Sequence, residues 1–326
     1  MSFQISVHTH IYDIMKRLDV KILVCIALFA FLSIGCKAEN SGSLGLESKV
    51  KTTKKAPKPT ATQPKTLNSQ QLQVIEVKSD KMGRNISNLV VLPEAYFEDS
   101  TSSFSVIYLL HGYSDDYMAW QNHVDLTKHA NKYGFIFVCP DGQDSWYFDS
   151  PIDPTFQFET YITQELRNYI ESNYRTINDR KHRAITGLSM GGHGALWLAW
   201  RHPDIYGMCG SMSGGVDITT IKDRYKIDKR LGKYAANDAV WKSYSVINLV
   251  PTLKPENDQF IIIDDGTSDI FIKDNRALHA ALKERKIKHD YRERPGRHSW
   301  DYWVKSLEQH LISFHNRIFM IKMGDC

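Results

Sequence analysis

The chain has 326 residues, 42% hydrophobic, 11% aromatic and 24% charged, the proportions of a soluble globular protein with a sizeable core, which excludes disorder throughout. Its formal charge of +4 is local. Residues 37–65 hold seven lysines against two glutamates, so the remainder is near neutral, and the sequence gives no sign of a nucleic-acid groove, which needs basic residues gathered on one face. The five cysteines, Cys25, Cys36, Cys139, Cys209 and Cys326, include no close pair, so neither a metal knuckle nor a disulfide framework is expected, and no metal or cofactor is inferred.

From Met15 the chain reads Met-Lys-Arg-Leu-Asp-Val-Lys, then an apolar run from Ile22 to Ile34, then Gly35-Cys36. A basic start, a short apolar core and a small exit residue are the parts of a signal peptide. The run is shorter than the roughly 20 residues a membrane span needs. Residues 1–14 fit no part of a signal, so Met15 is the expected start. Leu32-Ser33-Ile34-Gly35-Cys36 resembles a bacterial lipobox, with Ser33 where leucine is usual three residues before the cysteine. Lipidation of Cys36 is therefore expected, with simple secretion as the alternative, and export places the protein in the periplasm or at the cell surface. Residues 37–70, rich in Lys, Pro, Ser and Thr, bury too little surface to offset chain entropy and read as a flexible tether.

Beyond residue 70, short apolar runs alternate with amphipathic ones, the pattern of an α/β protein with a mostly parallel sheet flanked by helices. Strands are predicted over Leu72 to Lys78 and Ser87 to Leu92, opening as an antiparallel pair, and at Val106 to Leu110, which is apolar throughout as a strand buried on both faces must be. Phe135 to Cys139 is another such strand, closed by the turn residues Pro140-Asp141-Gly142. Phe158, Ile162, Leu166, Tyr169 and Ile170 recur at helical spacing. Arg183 to Gly187 reads as a strand, Gly191 to His202 as a helix and Gly207 to Ser213 as the next strand. Residues 217–255 break the rhythm with charges and with Tyr225, Tyr234, Trp241 and Tyr244, and read as an inserted helical cap. Strands at Phe260 to Asp264 and Asp290 to Glu293, and helices at Asn275 to Arg285 and Trp300 to Arg317, complete a domain over residues 71–317. Residues 318–326 are expected to fray as a tail.

The chemistry gathers on loops at strand ends. A serine hydroxyl is a weak nucleophile unless a tight turn presents it to a base. Gly187-Leu188-Ser189-Met190-Gly191, between a predicted strand and helix, supplies that turn and makes Ser189 the candidate nucleophile. His298, in the turn Pro295-Gly296-Arg297-His298, is the candidate base; His289, at a strand start, and His310 and His315, on the closing helix, read as structural or exposed. Asp264, Asp265 and Asp269 all follow the apolar run Phe260 to Ile263, and Asp269, farthest into the loop, is the candidate acid. The backbone N–H groups of Met190 and Tyr113 are the expected oxyanion donors. His111, Trp146 and Tyr147 are candidate pocket residues.

Together these residues resemble an esterase family of α/β-hydrolases that includes tributyrin esterases, S-formylglutathione hydrolases, feruloyl and acetylxylan esterases and the mycolyltransferases. The carriers are Tyr108-Leu109-Leu110-His111-Gly112, Pro140-Asp141-Gly142 with Ser145-Trp146-Tyr147, Gly187 to Gly192, Asp265-Gly266-Thr267-Ser268-Asp269 and His298-Ser299-Trp300, over residues 75–315. The resemblance implies an α/β-hydrolase fold and a serine carboxylesterase working through an acyl-enzyme, with Ser189, Asp269 and His298 as nucleophile, acid and base. The expected substrate is a small or polysaccharide-linked ester, such as acetyl or feruloyl groups on plant polysaccharide. Alternatives are acyl transfer to a sugar or lipid acceptor, a thioesterase of the S-formylglutathione hydrolase type, and a binding protein on an inactive scaffold. Membrane association is expected only through lipidated Cys36.

Overall fold

Apolar runs of six residues with no charged side chain can be stable only inside a sheet covered on both faces, and the centre of this fold is built from them. The computed structural model describes residues 70–256 and 258–324; the expected signal peptide, Cys36 and the tether up to residue 69 lie outside the described residues. The strands are β1 (Leu72–Ser79), β2 (Arg84–Val91), β3 (Ser105–Leu110), β4 (Phe135–Pro140), β5 (Arg183–Leu188), β6 (Met208–Met212), β7 (Phe260–Gly266) and β8 (Asp290–Arg294). They form one sheet in the order β1-β2-β4-β3-β5-β6-β7-β8. β1 and β2 pair antiparallel, as do β2 and β4, and every later pairing is parallel. This is the α/β-hydrolase fold.

Alternation along the strands divides the core in two. Val106, Tyr108 and Leu110 of β3 join one apolar cluster, and Ile107 and Leu109 join the other. Helix α1 (Leu126–Tyr133) covers the second face; the Asp125 carboxylate accepts the Lys128 N–H at its start, and Gly134, at φ 66°, ends it. Helix α2 (Arg167–Asn173) continues a π-helical stretch, Tyr161–Leu166, in which the Thr163 hydroxyl donates to the Glu159 carbonyl at 2.7 Å. Helical spacing of apolar residues does not signal that wider turn. Helix α3 (Met190–Arg201) is buried almost throughout, so apart from His193 and the exposed Arg201 its side chains are apolar or small on all sides.

Residues 217–255 are helical, with 3₁₀ turns at Ile218–Ile221 and Val246–Thr252 around α4 (Ile227–Leu231) and α5 (Tyr234–Ser243). Helix α6 (Ile272–Glu284) returns the chain to β8, and α7 (Trp300–Gly324) closes the domain. The expected tail is corrected here. Leu307, Leu311, Phe314 and Ile318 follow at helical spacing and are all buried, so their packing carries α7 past Arg317, and the helix runs on to Gly324. Among the described residues no helix is long and apolar enough to cross a membrane. Cys139 and Cys209 are free and buried, and burial pushes the Cys209 thiol up to about 12, so both act as small hydrophobes.

Candidate active site

The parallel strands end together, and their loops assemble one site. Ser189 joins β5 to α3 with φ 54° and ψ −115°, a backbone conformation unfavourable for a residue with a Cβ and typical of a nucleophile turn. Packing imposes it. A Cβ on Gly187 would lie 2.6 Å from the Gly191 carbonyl oxygen, and one on Gly191 would lie 2.5 Å from that of Leu110, so strand and helix meet at distances only glycine allows.

The His298 Nε2 atom lies 2.9 Å from Ser189 Oγ, and its Nδ1 lies 3.0 Å from both carboxylate oxygens of Asp269. The acid and base loops are joined along their backbones: Thr267 N–H donates to Arg294 O and Ser268 N–H to Gly296 O, both at 2.9 Å. Asp269 is further fixed by the Phe271 N–H, which donates to Oδ1 at 2.9 Å. Phe271 and Trp303 present their rings roughly perpendicular to the His298 imidazole at 5.3 and 4.8 Å. With Nδ1–H donating to Asp269, an imidazole held this way presents its Nε2 lone pair to the Ser189 hydroxyl.

The neighbouring aspartates do other work. Asp264 is fully buried and accepts from Tyr302 Oη, from Arg294 at 2.7 Å and from Ser306 at 3.2 Å. It therefore ties β7 to the start of α7, just after the His298 turn. Asp265 is also fully buried and accepts from the Gly266 N–H at 2.8 Å. Burial, followed by the charge of Asp269, pushes its carboxyl up to about 8.

Met190 is the first residue of α3, and Tyr113 follows Gly112, where an added Cβ would lie 3.7 Å from Ser189 Cβ. Neither backbone N–H donates to another backbone group among the described residues, which leaves both free beside Ser189. His111 and Tyr147, expected in the pocket, are instead buried behind it. The Gly142 N–H donates to His111 Nε2 at 2.8 Å, so Nδ1 carries the proton and donates to Gly112 O at 2.7 Å. Tyr147 Oη donates to His111 O at 3.0 Å, and its ring fills the space that Cβ atoms on Gly142 and Gly194 would take. Both side chains buttress the loop that carries Tyr113.

Trp146 does line the pocket, a cavity of about 220 Å³ that opens at Ser189 and His298. Its other walls include Tyr113, Leu188, Tyr225, Phe271 and Trp303, with the carboxylate of Asp115. Half-burial moves the Asp115 carboxyl up from its ordinary value. The sequence signalled Tyr225 only as a cap aromatic, and nothing in it marked Phe271, Trp303 or Asp115.

The family model described as "Putative esterase" matches residues 79–314. The chain belongs to this esterase family. It is similar to an acetyl esterase of Caldicellulosiruptor saccharolyticus, 27% identical over 248 residues, covering 71% of this chain and 93% of that protein. It is also 31% identical over 156 residues to a diacylglycerol acyltransferase/mycolyltransferase Ag85A of Mycobacterium gordonae, covering 45% of this chain and 43% of that one. Among solved structures a ferulic acid esterase superposes with a TM-score of 0.66 at 25% identity, covering 76% of this chain and 98% of the other. This esterase is a serine hydrolase acting on carboxylic esters.

Proposed function

We propose that this esterase is exported and removes small acyl groups, acetyl or feruloyl, from polysaccharide, with Ser189, His298 and Asp269 as its catalytic residues. The observation that carries the reading is the unbroken chain from Ser189 Oγ through His298 to Asp269, with contacts of 2.9 and 3.0 Å, at the mouth of an aromatic cavity of about 220 Å³. That volume is below the roughly 300–1,000 Å³ of pockets that enclose drug-sized ligands, which favours a small acyl group or a single aryl ring over a long chain. The acetyl esterase and ferulic acid esterase similarities support the same substrates. The Asp115 carboxylate in the wall disfavours the net anionic thioesters of glutathione.

His298 Nε2 takes the Ser189 proton as Oγ attacks the ester carbonyl carbon, and the resulting oxyanion accepts from the N–H groups of Met190 and Tyr113. His298 then gives the proton to the leaving alcohol oxygen as its bond to the acyl carbon breaks. Water, deprotonated by the same nitrogen, attacks the acyl-enzyme and releases the acid, restoring Ser189. A sugar hydroxyl in place of water gives acyl transfer, the second reading, which the mycolyltransferase similarity favours.

A panel of short and long p-nitrophenyl esters, methyl ferulate and acetylated xylan, assayed with and without excess acceptor sugar, tests these readings. Free acid from the small esters and from xylan, lost in Ser189→Ala, supports hydrolysis; acylated sugar as the main product moves the assignment to transfer. For export and anchoring, cells fed an alkyne fatty acid should label the protein, and Cys36→Ser should abolish the label. An unlabelled protein in the culture fluid would instead mean simple secretion.

A further inference from the structure

The cap supplies one wall of the pocket, and it does so through a strained segment. Asp223, Tyr225 and Lys226 have φ of 53°, 52° and 54°, three left-handed residues within four positions, none a glycine. Side chains with a Cβ resist this conformation, so surrounding contacts must hold it. Lys226 Nζ lies 2.7 Å from Asp144, and Arg230, almost wholly buried, pairs with Asp144 at 2.8 Å and Asp153 at 2.6 Å. The Arg230 guanidinium lies over the Phe156 ring, 3.2 Å from its centroid, and the Ser150 hydroxyl donates to Arg230 O at 2.6 Å. Trp146 Nε1 donates to Tyr225 O at 3.2 Å. These contacts aim the Tyr225 ring at the pocket, edge-on to Tyr113 at 5.3 Å and 6.4 Å from Trp146.

We infer that Tyr225 is a specificity-determining residue: its ring, delivered by the strained cap segment, sets the largest group the pocket admits beside Ser189. A surface loop has no need of three unfavourable backbone conformations fixed by two ion pairs to one buried arginine, whereas a wall that must stay in place against substrate does. The inference rests on the esterase reading, and its test is separable from that reading.

Two ester series decide it: p-nitrophenyl acetate, butyrate and octanoate, which vary the acyl group, and methyl, phenyl and naphthyl acetates, which vary the alcohol. Wild-type turnover of p-nitrophenyl acetate, lost in Ser189→Ala, tests the esterase reading alone. For Tyr225→Ala, kcat/KM for the largest member relative to the smallest should rise at least about tenfold in one series, while Tyr225→Phe, which keeps the ring, stays within about twofold of wild type. Tyr225→Gly, which suits a φ of 52°, covers the case in which the alanine variant fails to fold, and should show the same rise. Ratios unchanged in both series, in a ring-deleted variant that a fluorophosphonate probe labels in full, overturn the inference.

Discussion

At the scale of single residues, three aspartates lie at the end of β7 and in the loop beyond it, and only one touches His298. Asp269 is the carboxylate within hydrogen-bond distance of His298, so Asp269→Asn should lower kcat by on the order of a thousandfold or more while leaving the fold intact, because the imidazole loses the partner that fixes its tautomer. Asp265→Asn should behave differently. Burial and the charge of Asp269 keep Asp265 protonated at neutral pH, and asparagine resembles a protonated carboxyl in shape and charge. Its kcat at pH 7 should stay within a few-fold of wild type, and a loss as large as that of Asp269→Asn would contradict the assignment. Position in the loop pointed to Asp269, but the separation of roles among the three came from their contacts.

At the scale of elements, the cap helix α4 is attached to the loop at residues 144–153 through Arg230. Arg230→Met would leave the partly exposed Asp144 and Asp153 without their shared cation and remove the guanidinium stacked on Phe156, costing about 1–2 kcal/mol. Urea unfolding should register that loss as a lower midpoint. An unchanged midpoint would mean that the carboxylates find water or Lys226 as readily as Arg230. The junction of β5 and α3 has no such latitude, since a Cβ on Gly191 would lie 2.5 Å from the Leu110 backbone oxygen. Gly191→Ala should therefore reduce soluble yield and fluorophosphonate labelling together. The strands were legible as apolar runs, and α3 as a run of small and apolar residues. The π-helical stretch at Tyr161–Leu166 and the extension of α7 past Arg317 were not, because apolar spacing does not tell a π turn from an α turn and because the extension follows the packing of Phe314 and Ile318 against the core.

At the scale of the whole molecule, buried titratable groups give stability a two-sided dependence on pH. His193 and His310 are fully buried, and burial pushes both down to about 4. The unfolded chain binds their protons more readily, so this contribution is complete above about 6.5 and is lost as pH falls toward about 4. Asp265 has the opposite sign. Its folded carboxyl is raised from 3.8 to about 8, so the folded state binds the extra proton and stability declines as pH rises through that window. The histidines dominate below about 6.5 and Asp265 above it. The thermal midpoint should peak near pH 6.5, and Asp265→Asn should remove the decline between about 6.5 and 8. A variant that keeps the wild-type decline would show that another group produces it.

The sequence by itself determined the class of sheet, the place of the turn at Ser189 and the chain order of Ser189, Asp269 and His298. Those features rest on local rules: apolar periodicity, glycine where backbones must touch, and loops at strand ends. Tertiary structure alone decided which side chains face Ser189. His111 and Tyr147, next in sequence to Gly112 and to Trp146, turned out to be buttresses, while Tyr225 came from the cap, Phe271 from the residue just before α6 and Trp303 from α7 to wall the pocket. A cavity is made by residues far apart in the chain, and their approach depends on how whole elements pack rather than on any pattern within one segment.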